Sequence, residues 1–331
     1  GLGKDLAEAW LPMKPVIAER ITALRKQRAE ATGLTIPAVI IEDGNNLGGN
    51  DYEVKLFGTG YARANVQPEM TLAIRSNSSK DGLTGIEARD PAFGLPALWI
   101  DNEQRDKAQG FGYTLVDPIT VLMTHLGEIV RSEAALLLTR NDVVTMLEGV
   151  RNRQAGLIEE LIPNIMSVSD IQRVLQNLLN EEVSIRNIDL ICEALVDVGR
   201  LTKDHGELTE LVRQKLSYII CNDLKGTNEQ LSVLSLDPRI EAQITDAINR
   251  SEGGGSMIIE PRLAESIMRK IIPLVESMTQ QGVAPALLCG PSIRRQLKSF
   301  LRRTAPRLAV ISVNEVPQSI DLRSFDILKS E

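Results

Sequence analysis

Asp90-Pro-Ala-Phe-Gly-Leu-Pro-Ala-Leu-Trp-Ile100 is the stretch on which the fold turns. Its first half carries Pro91, Gly94 and Pro96 and reads as a turn. Its second half, Ala97 to Ile100, is a short apolar run of strand character. Phe93 falls in the turn and is expected exposed; Trp99 falls in the strand and reads as core. Strands are predicted on either side, at Thr71–Ile74 and at Tyr113–Val116, the latter ended by Asp117-Pro118. Between them, polar Ser76–Gly85 reads as a mobile loop and Gln104–Gln109 as a short helix. Residues 68–117 therefore predict a small α/β domain. Seven of the chain's 11 aromatic residues lie between Tyr52 and Tyr113. So small a domain buries so many rings with difficulty, and some are expected along a surface groove, where aromatic anchors centre the energetics of protein interfaces.

Toward the N-terminus, Tyr52, Val54 and Leu56 alternate with Glu53 and Lys55, a half-buried strand. Gly58-Thr-Gly60 after it reads as a tight hairpin turn. A dinucleotide fingerprint would need a third glycine where Arg63 stands. Residues 14–31 carry a helical stripe through Val16, Ile17, Ile21 and Leu24, stopped by Gly33. Pro37–Ile41 reads as a short buried strand, and Asp43–Asn50 as a loop.

Toward the C-terminus the pattern turns helical. Ile119–Leu138 is one predicted helix, and residues 139–217 are helical throughout. Thr139 is the expected cap of a helix through Val150. Ser169-Asp-Ile-Gln172 reads as a capping box with Ser169 as N-cap. Another helix carries Ile188, Ile191, Cys192 and Leu195 and stops near Gly199. The last part alternates strands at Leu231–Leu236, Ala286–Cys289 and Leu308–Val313 with helices at Arg239–Arg250, Glu260–Gln280 and Pro291–Arg303. Gly253-Gly-Gly255 is a loop. Strand–helix–strand order predicts a mixed sheet covered by helices. The fold class is α+β, a mixed α/β multidomain chain.

Composition bounds function by exclusion. The chain has 331 residues, 43% hydrophobic and 24% charged, close to globular averages. A net charge of −7 disfavours generic nucleic-acid binding. Cys192, Cys221 and Cys289 lie far apart, without metal or redox spacing, and read as buried free thiols. His125 and His205 are the only histidines and form no ligand pair, so no metal site is expected. No phosphate-binding loop and no nucleophile elbow occurs, and neither an enzyme nor a cofactor is expected. No apolar run approaches the roughly 20 residues that span a bilayer. The expectation is a soluble chain; its opening on Gly1 reads as a fragment or a processed form.

One charged cluster stands out. Arg294, Arg295, Lys298, Arg302, Arg303 and Arg307 fall within 14 residues, with 295, 298 and 302 on one helix face. Three readings stay open: a solvated helix face, a contact with another subunit through Arg294, Arg295, Lys298 and Arg302, or nucleic acid. The last lacks interleaved aromatic residues for stacking.

The Asp90–Ile100 stretch, with Gly112-Tyr-Thr-Leu-Val-Asp-Pro118 and Thr124-His-Leu126, resembles the signature of the export-gate family of type III secretion systems, the FlhA/SctV or FHIPEP family. Val174-Leu-Gln-Asn-Leu-Leu179, Val183-Ser-Ile-Arg-Asn187, Leu208-Thr-Glu-Leu-Val-Arg213 and Leu308-Ala-Val-Ile-Ser312 are similar to family motifs in order and spacing. The flagellar branch fits better than the injectisome branch. Gly1–Trp10 departs from the family's usual Gly-Tyr-Gly-Leu-Ile-Pro-like opening.

The resemblance implies a cytoplasmic part of four compact subdomains: 1–67 with 118–137, an inserted 68–117, an all-helical 138–217, and 218–331. It implies a place at the cytoplasmic face of the bacterial inner membrane, below membrane helices outside this sequence, in a nine-subunit ring under the export channel. The implied partners are chaperone–substrate complexes, the ATPase complex and the substrate-specificity switch protein, with no nucleic acid. The implied chaperone site is Asp90, Phe93, Val116 and Thr124. Motion about loops 76–85 and 253–255 is expected to switch the docking cleft. The rivals are an injectisome gate subunit and, in another class, an RNA-binding protein.

Overall fold

Alternation at Tyr52, Val54 and Leu56 makes the strand it predicts. The computed structural model describes residues 1–44, 46–250 and 259–329. It divides into two units, Gly1–Thr139 and Arg140–Glu331.

The first unit opens with helices α1 (Lys4–Trp10) and α2 (Lys14–Thr32). Gly33 ends α2 at φ 79°, a left-handed cap that glycine adopts without a Cβ clash. A hairpin follows, β1 (Asp51–Leu56) and β2 (Thr59–Asn65), paired antiparallel. Its turn places Phe57 and Gly58 both at positive φ, the backbone of a two-residue hairpin loop. Next come β3 (Thr71–Ile74), β4 (Ile86–Arg89), β5 (Pro96–Ile100), α3 (Arg105–Gly110), β6 (Thr114–Val116), α4 (Pro118–Ser132) and α5 (Ala134–Leu137). The four strands form one antiparallel sheet in the order β4-β5-β3-β6.

Alternation along β3 and β5 splits that sheet between two cores. Ala73 and Ile100 face α3, packing with Ala108 and Tyr113. Leu72, Ala97 and Trp99 face the other way, into a core shared with Tyr52, α1, α2 and α4. Burying a ring the size of Trp99 removes roughly 200 Å² from water, on the order of 5 kcal/mol before conformational costs. The segment Ser76–Gly85, expected as a mobile loop, has no regular structure but is fastened at several points. Ser79 Oγ donates to Gly112 O at 2.9 Å, Lys80 N to Phe111 O at 2.9 Å, and Lys107 Nζ to Gly82 O at 2.7 Å.

The second unit begins with helices: α6 (Arg140–Arg153), α7 (Ala155–Leu161), α8 (Val168–Asn180), α9 (Ile188–Val198), α10 (His205–Lys215) and α11 (Ser217–Lys225). Then β7 (Leu231–Leu236), α12 (Pro238–Arg250), α13 (Pro261–Gln280), β8 (Ala286–Cys289), α14 (Arg294–Leu301), β9 (Ala309–Ser312) and β10 (Leu322–Leu328) complete it. Its sheet is all parallel, in the order β10-β7-β8-β9. Parallel strands covered by helices read as unbroken apolar runs, as Leu287, Val310 and Ile311 illustrate.

Four sequence expectations need correction. The one helix expected over Ile119–Leu138 is two, α4 and α5, parted at Glu133. Pro37–Ile41 is not a buried strand: Ala38–Ile41 pair with no strand among the described residues, and Ile40 is 80% exposed. The cap of α8 is Ser167, not Ser169. Ser167 Oγ accepts from Asp170 N, and the Asp170 carboxylate accepts from Ser167 N at 2.9 Å, closing the box two residues earlier. The helix expected from Pro291 starts at Arg294. The sequence reading also passed over α1, β2, β4, α11 and β10. Gly253–Gly255 lies outside the described residues. Among those described, no helix is long and apolar enough to cross a membrane, and no cluster of metal-ligating side chains occurs.

Candidate docking site

The turn between β4 and β5 is built by Asp90. Its backbone N–H donates to Leu95 O at 2.9 Å, and its C=O accepts from Gly94 N at 2.7 Å. Gly94 sits at φ 69°, which lets the chain reverse without a side-chain clash. The Asp90 carboxylate then accepts from Phe93 N at 2.7 Å. Asp90 itself is 3% exposed while Phe93 is 49% exposed. The aspartate thus fixes the turn from beneath and the phenylalanine stands above it. Leu95 and Ile86 are exposed on the same hairpin.

Under Asp90 lies a polar pair absent from the sequence-derived site. Tyr52 Oη and His125 Nδ1 are 2.7 Å apart, both buried, with the rings edge to face at 5.8 Å. Burial pushes the Tyr52 hydroxyl well above its usual pKa, and the Asp90 charge pushes it further. Burial lowers the His125 pKa, against the opposing pull of Asp90 and Glu128. A tyrosine on the apolar face of β1 was the available signal, because a buried hydroxyl needs a partner.

Thr124 and Val116 are each half-buried, on α4 and β6. Val116 pairs with Leu72 of β3 and packs on the shared core, and α4 packs against β3. Asp117, directly after Val116, caps α4 by accepting from Thr120 N at 2.9 Å. Arg20 of α2 reaches Thr120 Oγ1 at 2.9 Å, so the start of α4 is anchored twice. A hydrogen bond joins Asp90 to Phe93; Val116 and Thr124 sit on other elements, β6 and α4.

Half of the second candidate set is folded away from the surface. Arg294 is fully buried within its own unit. It donates to Glu181 at 2.6 and 2.9 Å, to Glu210 at 2.6 Å with a second bond to the same carboxylate, and to Val310 O at 3.0 Å. Lys298 is buried too, its ammonium spent on Leu308 O at 2.6 Å and Pro306 O at 3.3 Å. The cluster tightens around β9, because Arg213 joins Glu315 at 2.6 Å and Glu181 at 3.2 Å. The strand and helix order folds Arg294 and Lys298 inward, so neither presents an exposed side chain. Arg295 and Arg302 keep solvent access, with Asp204 and Asn180 as partners.

Similarity to known proteins agrees with this architecture. The chain is 36% identical over 312 residues to the flagellar biosynthesis protein FlhA of Bacillus subtilis (strain 168), covering 94% of this chain and 46% of that protein. It thus spans about half the length of the curated relatives it matches. The solved CdsV protein of Chlamydia pneumoniae superposes with a TM-score of 0.80 at 24% identity, covering 99% of this chain and 96% of that one. The nonameric EscV cytosolic domain from the type III secretion system superposes at 0.71 with 20% identity, over 95% and 92% of the two chains. These likenesses show the same mixed α/β fold. The profile of the FHIPEP family matches residues 2–321, and the chain belongs to that family.

Proposed function

We propose that this chain is a docking and gating part of a type III export apparatus, of the flagellar kind, lying at the cytoplasmic face of the inner membrane. It binds chaperone–substrate complexes through Asp90, Phe93, Val116 and Thr124. The observation that carries this reading is the half-exposed Phe93 on a turn locked by a buried carboxylate. A large ring held out of the core at a fixed place is the arrangement of an interface anchor. Val116 adds apolar area, and Thr124 a polar group at its edge.

The nonameric assembly of the EscV domain supports a ring of this chain within the full-length protein. The ATPase complex and the specificity-switch protein are the further partners. Motion among four subdomains would open and close the docking cleft, and the 76–85 segment would have to release its bonds to Gly112, Phe111 and Lys107 to act as a hinge. An injectisome gate subunit is the alternative within the same family.

The test is a binding titration with a flagellar chaperone–substrate complex, run beside Phe93→Ala. Wild-type binding with a loss of about 1–3 kcal/mol in the variant supports both role and site. Equal binding by the two moves the site elsewhere. No binding to flagellar complexes, with binding to injectisome ones, transfers the chain to the other branch.

A further inference from the structure

An apolar groove of about 440 Å³ lies inside the first unit, away from Asp90 and Phe93. One wall is the extended segment 36–42 and the other is 52–58, along β1. Leu126, Ile129 and Val130 are among the residues of its floor. The first wall is an unused strand edge. Among the described residues Ala38–Ile41 make no backbone hydrogen bond, and Val39 and Ile40 are exposed apolar residues. Unpaired extended chain beside an apolar trough is a template for strand addition.

Residues 1–3 show what fits between the walls. Leu2 N donates to Glu42 O at 3.0 Å and Gly44 N to Leu2 O at 2.7 Å, a parallel pairing on one side. On the other side Gly3 N donates to Asp51 O at 2.7 Å, Glu53 N to Gly1 O at 2.9 Å, and Gly1 N to Glu53 O at 2.8 Å, an antiparallel pairing. Leu2 is therefore already a central strand between 42–44 and β1. The walls stand two interstrand spacings apart there, about 9–10 Å. Followed backward from Gly1, the same course runs between 41 and 37 on one side and 54 and 57 on the other, which is the groove.

The geometry points to the occupant: the segment of this polypeptide that leads into Gly1, laid in the groove as the middle strand of a three-stranded sheet. The curated relatives are about twice the length of this chain. About five residues at roughly 3.3 Å each fill a trough the length of 37–41. The side chains that share the parity of Leu2 turn toward the core it packs on. Apolar residues therefore stand immediately before Gly1 and at every second position upstream. The groove is a built-in anchor for the incoming chain, not a small-molecule site.

Amide hydrogen exchange tests this. The chain is compared with one lengthened upstream by about eight of its natural residues, and with the original chain plus those residues as a free peptide. Slower exchange at Ala38–Ile41 and Lys55, independent of protein concentration, supports the anchor. Ile40→Asp, at an exposed position on the groove wall, should weaken that protection at least tenfold while exchange in α4 is unchanged. Unchanged exchange at 38–41 in the lengthened chain overturns the proposal. So does protection that grows with protein concentration, which assigns the groove to a second copy, and so does an upstream sequence without the apolar alternation.

Discussion

The Asp90 carboxylate accepts the Phe93 amide at 2.7 Å while Asp90 is shielded from solvent and Phe93 is not. The two residues of one motif therefore have different tasks. Asp90 sets the turn, and Phe93 presents the ring. Asp90→Asn keeps an acceptor of the same shape and should dock almost as well as wild type. Asp90→Ala leaves the turn unpinned and should weaken docking by about 1 kcal/mol, the usual worth of such a bond. Titration of both variants against the same chaperone–substrate complex decides this. Equal losses in the two would mean that the charge of Asp90, rather than its acceptor, is what the partner reads.

His125 makes the first unit sensitive to mild acid. Its folded pKa is lowered, chiefly by burial beside Tyr52. The unfolded chain therefore takes up a proton, near about pH 6.5, that the folded unit resists. The stability that follows from the neutral ring is fully present above that value and is lost as pH falls through the lowered folded pKa. Trp10 and Trp99 both lie in this unit, so their fluorescence in urea follows its unfolding alone. The midpoint should fall as pH drops below about 6.5, and His125→Gln should flatten that slope. An unchanged slope in the variant would reassign the effect to carboxylates.

How much of this was legible in sequence depended on whether a residue's fate was set locally. Strands β3, β7 and β8 begin and end where the apolar runs do, because a buried strand is its own signal. Gly33 was readable as a helix stop because its backbone requirement is local. Ile40 misled because an apolar run says nothing about whether a partner strand is present beside it. Arg294 misled in the opposite direction. Its three carboxylate and carbonyl partners, Glu181, Glu210 and Val310, run from just past α8 to β9, 113 positions away at the farthest, and no short window of sequence contains them. Phe93 was legible from its prolines and glycine, whereas the Tyr52–His125 pair beneath the turn spans 73 positions and was not.

The cap of α8 offers a direct trial of local reading, since two overlapping boxes compete. Ser167 with Asp170 closes the helix, while Ser169 accepts a bond from Arg140 at 2.7 Å. Hydrogen bonds from Ser167 and His205 hold Asp170 down at about 2, so its carboxylate is charged at any ordinary pH. Ser167→Ala should cost about 1 kcal/mol, the typical worth of an N-cap. Ser169→Ala, losing an exposed contact, should cost less than about 0.5 kcal/mol. Urea denaturation of the two variants separates the assignments, and the reverse order would restore Ser169 as the cap.

The buried ion cluster makes the strongest demand on stability. Arg294 satisfies Glu181 and Glu210 together, and Arg213 ties Glu181 to Glu315. Glu181 pays for burial but is held below the usual carboxylate range by Arg213 and Arg294. Arg294→Leu takes the shared partner from two partly buried carboxylates, Glu181 and Glu210, and should cost about 3–5 kcal/mol. Arg294→Lys should recover little, since an ammonium cannot bridge two carboxylates with a planar fork. Arg295→Ala, on the exposed face, should cost less than about 1 kcal/mol. The readout is thiol labelling in urea. Cys192, Cys221 and Cys289 are all buried in the second unit, with burial pushing their thiols up to about 12, 11 and 12, so they react only as that unit opens. The Glu181 contribution has a sign in pH: it is full above the ordinary carboxylate range and lost as pH falls through its depressed folded value. Wild type should therefore label progressively faster in acid at equal urea, after correction for the reagent's own pH dependence. Arg294→Leu should show a weaker dependence or a reversed one, because protonating Glu181 relieves the repulsion the variant creates. A small cost for Arg294→Leu together with an unchanged acid slope would reduce the cluster to a spectator of the fold.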